Sequence, residues 1–126
     1  MQRRGAFRSG NSPDWKLLAA LFRQFFETAR RLDHEPVLLI IPTRLESFAG
    51  SIEQDLETQV LKLGCALGFV TVSLPAPFSQ TQAERPATPL FRPREDGGHF
   101  SVDGHRLTAQ MLAAALAGRD SCAELH

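Results

Sequence analysis

Neither sign of charge is in excess. Lys and Arg together count 14, Asp and Glu together count 14, and the formal net charge is zero. Such a balance gives no electrostatic footprint for nucleic acid. Arg3, Arg4 and Arg8 cluster early, but so short a basic run reads as solvated. Cysteine is scarce: Cys65 and Cys122 lie far apart, and no C-x-x-C occurs. That excludes the usual zinc and redox-pair signatures. Cys65 falls in a helical apolar pattern and reads as a small core residue, while Cys122, in a tail, reads as a candidate free thiol. Two cysteines do not fix a redox compartment. No apolar run approaches the about 18 residues of a membrane span. Residues 1–15 hold no stretch of signal-peptide kind. The default expectation is a cytoplasmic protein with no membrane or nucleic-acid partner.

What is present suits one domain. The chain has 126 residues, 43% hydrophobic and 22% charged, enough for a modest core. Residues 1–11 read as a disordered lead-in. Ser12 and Pro13 offer a helix cap and first position, and Leu18, Leu21, Phe22, Phe25, Ala29 and Leu32 come next at helical spacing. A helix over 13–32 is expected. Its phenylalanines suit either core packing or an exposed face awaiting a partner. Val37 to Ile41 is an aliphatic run between Pro36 and Pro42, as in a buried parallel strand. Ser51 and Gln54 match a capping box ahead of a helix over 52–67, with Ile52, Leu56, Val60, Leu63 and Leu67 on its buried stripe and Gly68 as its stop. Residues 69–74 read as a second strand. Strand, helix, strand makes one βαβ unit. Five of the eight prolines lie between Pro75 and Pro93, and the spacing predicts a long irregular loop there. Ser101 can cap a last helix over 102–117, leaving 119–126 as a tail. The expected class is α/β. A sheet of two parallel strands is narrow, with open edges, so further strands are expected from a partner or from the rest of a larger domain.

The chemistry-bearing stretch runs from Arg94 to Leu107. Asp96 and His99 stand three apart on a turn containing Gly97 and Gly98. Glycine reaches positive φ without steric cost, so the turn can bring the carboxylate to the imidazole. An Asp accepting the Nδ1–H of His99 would leave Nε2 free as a general base. The plainer reading is a D-G-G turn that happens to hold both residues.

This segment resembles the last block of the SGNH/GDSL hydrolases, in which D-x-x-H is followed by a polar helix start and G-[HY]-R. Here the match is Asp96-x-x-His99, then Ser101, then Gly104-His105-Arg106. The resemblance implies that Asp96 is the triad acid and His99 the base. It implies a three-layer α/β/α, flavodoxin-like domain, ester hydrolysis on acyl or acetyl substrates, carbohydrate esters included, and no metal or organic cofactor. Over about 14–118 the order of elements also matches the C-terminal half of that family. The G-D-S nucleophile motif and the G-x-N-D block are missing from this sequence. A base without a nucleophile and oxyanion donors cannot run acyl transfer. The expectation is therefore the C-terminal part of such a domain, inactive alone.

Other candidates carry plainer readings. His105 with His99 and Asp103 has poor spacing for a metal site and reads as a first-turn helix residue. His34 reads as exposed. Arg44, just after a strand end where α/β sites gather, is a weak candidate for substrate contact. The competing reading is a non-catalytic α/β interaction module that self-associates, as a homo-oligomer, through an open sheet edge.

Overall fold

The structure, a computed structural model, describes residues 12–42, 52–93, 98–118 and 122. The element order is α1 (Pro13–Arg31), β1 (Val37–Ile40), α2 (Ile52–Leu67), β2 (Val70–Ser73), α3 (Pro75–Glu84) and α4 (Val102–Gly118). Among the described residues this is a mixed fold of four helices and a two-stranded parallel sheet.

Each boundary has a local cause. Ser12 Oγ accepts the Trp15 N–H at 3.2 Å, and Pro13 occupies the first turn of α1, where a missing N–H costs nothing. Asp14 in the first turn and Arg30 and Arg31 in the last complement the helix dipole. Asp33 then turns the chain out with φ 59°, a left-handed conformation that Asp tolerates better than most residues. At the end of α2, the N–H groups of Gly68 and Phe69 both donate to the Gly64 carbonyl, at 3.0 and 2.9 Å. Gly68 has φ 103° there, as a helix-ending glycine should. Ser51 and the capping box it would open lie outside the described residues.

The strands pair in parallel with Val37 opposite Val70 and Ile40 opposite Ser73. Successive strand residues point to opposite faces. Leu38 and Thr71 meet α2 at Gly64. Val37, Leu39 and Val72 instead join the cluster built with Leu107, Met111, Leu112 and Ala115 of α4. The centre of that cluster is Leu74, Phe78 and Leu90, all buried. The core therefore sits under α4, beside the carboxyl ends of the strands.

One expectation needs correction here. Residues 75–93 are not one irregular loop, because α3 occupies Pro75–Glu84. Pro75 and Pro77 fall in its first turn, where proline is compatible with a helix, and buried Phe78 anchors it. Gln82 then organises the chain from Arg85 to Leu90. Its Oε1 accepts the Leu90 N–H at 3.0 Å, and its Nε2 donates to the Arg85 and Thr88 carbonyls. For α1, where the sequence leaves core packing and an exposed face both open, the helix is largely exposed. None of its residues is buried, and Leu21 and Phe25, with Leu32 just beyond its end, are each more than half exposed. All three phenylalanines of the helix approach Phe69: Phe22, Phe25 and Phe26 have ring centroids 6.1, 6.1 and 5.4 Å away, and the Phe25 ring stacks on it while staying largely exposed.

Candidate active site

His99 lies beside a short antiparallel bridge, Phe91 opposite Phe100. The Arg92 N–H donates to the His99 carbonyl at 2.8 Å, and the Ser101 N–H donates to the Leu90 carbonyl at 2.9 Å. These two bonds hold residues 90–92 and 99–101 side by side. Gly98, next to His99, has φ 78°. Asp96 and Gly97 lie outside the described residues. Side chains alternate across the bridge, so the Phe100 ring turns inward while the His99 side chain lies on the other face, exposed.

The inward ring fixes the platform. Phe100 packs on Phe78 at 4.8 Å and on Phe91 at 5.4 Å, and Phe78 meets Phe91 at 5.8 Å. Tilted and edge-on contacts of this kind add to the burial of the rings. Phe78 is one turn into α3, which starts directly after Leu74. The Leu74 N–H still donates to the Ile40 carbonyl, at 3.1 Å, beyond the last strand pair. The His99 segment is thus packed at the carboxyl ends of the strands, where sites in open α/β sheets gather.

Ser101 ties this platform to α4. Its Oγ accepts the Gly104 N–H at 3.1 Å and donates to the Pro89 carbonyl at 2.7 Å. The expected cap is therefore present, and it also pins the loop before the bridge. Gly104 is buried directly over Leu90, and a Cβ there would collide with the Leu90 carbonyl oxygen. In the Gly104-His105-Arg106 trio, the glycine permits close approach of the helix start to the backbone. Arg106 is spent on an exposed ion pair with Asp103 at 2.6 Å. His105 is exposed, as is His34, and its ring sits edge-on to Phe100 at 5.6 Å. Among the described residues no group of His, Cys, Asp and Glu could hold a metal ion.

The platform can hold an imidazole on a fixed backbone. A nucleophile is less well served. Ser12 caps α1, Ser101 caps α4, and Ser73 donates to the Glu57 carboxylate. Ser79 is exposed on α3, and Ser47, Ser51, Ser121 and Arg44 lie outside the described residues. The Glu57–Ser73 contact at the end of β2 goes beyond the sequence reading. Its one signal is an acidic residue about a turn from Val60 on the sheet-facing stripe of α2.

The cysteines also differ from expectation. Cys65 and Cys122 form a disulfide, with Cα atoms 5.6 Å apart, so neither is free. Thr71 Oγ1 lies 3.7 and 3.8 Å from the two sulfurs. The bond joins the end of α2 to the segment after α4, two places that only the tertiary fold brings together. No helix among the described residues is long and apolar enough to cross a membrane. No family model, no curated protein and no solved structure matches this chain.

Proposed function

We propose that this chain is the C-terminal part of an SGNH/GDSL-type hydrolase domain, three-layered and flavodoxin-like. In this reading it carries the acid and the base of a Ser-His-Asp site acting on acyl or acetyl esters. The observation that carries the reading is the foundation of His99. Its carbonyl is bonded to Arg92, its neighbour Phe100 is locked among aromatic rings, and Ser101 and Gly104 fix the next helix. Of the Asp96-x-x-His99, Ser101, Gly104-His105-Arg106 pattern, Ser101 and Gly104 have positioning roles, while His105 is exposed and Arg106 pairs with Asp103.

The chemistry comes from the two side chains. Asp96 accepts the Nδ1–H of His99, orients the ring and stabilises the imidazolium. His99 Nε2 takes the proton of a serine hydroxyl as that oxygen attacks the ester carbonyl, then returns it to the leaving alcohol. Water repeats the cycle on the acyl-serine. The serine and the oxyanion donors belong to the half that precedes α1 in the family, and that half also supplies the strands that widen the sheet. The partner is a small-molecule or carbohydrate ester, with no cofactor.

A serine-directed fluorophosphonate probe with mass spectrometry tests the division of the site. The chain alone should show no stoichiometric serine adduct. One serine labelled stoichiometrically, and lost with His99→Ala, would mean that the chain holds its own nucleophile.

A second reading, a self-associating α/β module, draws on the exposed face of α1.

A further inference from the structure

The disulfide crosses from one face of the sheet to the other. α4 packs on the face that carries Val72, whereas Cys65 belongs to α2, which covers the face of Thr71 and Leu38. Cys122, four residues after the end of α4, is bonded on that second face. The crossing is made on the outer side of β2. The N–H groups of Val70 and Leu74 donate to Pro36 and Ile40, on the β1 side. In a parallel ladder the alternate residues turn their backbone groups the other way, so the Phe69 carbonyl faces outward. Cys122 Sγ lies 4.0 Å from that carbonyl oxygen.

This bond lies outside the core. The cluster of Val72, Leu74, Phe78 and Leu90, with α4 residues up to Ala115 packed on it, contains neither cysteine. Both cysteines are half-buried, within reach of a small dithiol. Between their sulfurs, at 3.7 and 3.8 Å, stands the hydroxyl of Thr71, a residue only 5% exposed. A disulfide has no S–H to donate. After reduction each thiol has one, and the Thr71 oxygen is placed to accept it.

We propose that Cys65–Cys122 is a redox-sensitive clasp. Opening it frees the end of α4 and the outer side of β2, leaves the core folded, and hands the thiols to Thr71. The step is an exchange with a dithiol. One thiolate of the dithiol attacks a sulfur, the other cysteine leaves as thiolate, and the second thiol of the dithiol closes its own disulfide. Two electrons and two protons pass to the protein, giving two thiols. The device stands apart from the ester-hydrolase reading, which uses neither cysteine.

Dithiothreitol, set against its oxidised form at graded ratios, tests this on the intact chain. Alkylation and intact mass read the fraction reduced, and hydrogen exchange reads the local effect. The folded chain should take two alkyl groups when reduced. At short exchange times the end of α4 should then exchange about tenfold faster, while α3 and the start of α4 stay protected. Thr71→Val should shift the exchange equilibrium about threefold toward the disulfide, as loss of one hydrogen bond to the thiols, and Thr71→Ser should match the wild type. A folded chain that resists reduction would overturn the proposal. So would protection lost equally across α3 and all of α4, which would make the bond a staple of the core, or an equilibrium unmoved by Thr71→Val.

Discussion

The two ends of the chain build helices of similar length and very different burial. α1 has the sharper segregation of apolar and charged residues, yet none of its side chains is buried. α4, rich in alanine, packs Leu107, Met111, Leu112 and Ala115 into the cluster around Leu74, Phe78 and Leu90. Periodicity tells which face of a helix seeks cover. What covers it depends on the neighbours, and the described part of this chain gives α1 mainly Phe69. Stability is therefore concentrated on the α3–α4 side, where the His99 platform is also built.

Substitutions on the two sides should separate accordingly in denaturant titrations. Phe78→Ala removes a fully buried ring that two other rings lean on. Its expected cost is about 3–5 kcal/mol, as for large core truncations. Cys122→Ser opens the clasp between α2 and the segment after α4, at an expected cost of about 2–4 kcal/mol. Added reductant should lower the wild type to the same level and leave the variant unchanged. Ser101→Ala loses the α4 cap and the bond to Pro89, costing about 1–2 kcal/mol. Leu17→Ala, on the exposed stripe of α1, should stay within about 0.5 kcal/mol in dilute protein. A Leu17→Ala cost comparable to that of Phe78→Ala would erase the contrast.

Much of the fold was legible in local signals. Ser12-Pro13 marked the start of α1, Gly68 marked the end of α2, and the aliphatic run before Pro42 marked β1. Ser101 marked α4 through a hydroxyl that caps the backbone wherever the rest of the chain lies. α3 was not legible because its first turn holds two prolines, which read as a loop unless they are placed where a helix needs no N–H. The disulfide was not legible because pairing depends on tertiary proximity. For the proposed site the sequence offered candidates and one cap, Ser101. The D-x-x-H spacing pointed to His99. The reasons for Gly104 and Phe100, a carbonyl beneath the helix and a ring stack beneath the bridge, exist only in three dimensions.

The central claim is that Asp96 holds His99 as a base. The tautomer of His99, read by long-range proton–nitrogen NMR correlation at a pH where the ring is neutral, tests it most directly. Neutral imidazoles in water favour the proton on Nε2, and His34 and His105, both exposed, serve as internal references. His99 should carry its proton on Nδ1 with Nε2 bare, and should revert to the ordinary tautomer in Asp96→Ala. A His99 that carries its proton on Nε2 in both proteins would contradict the claim.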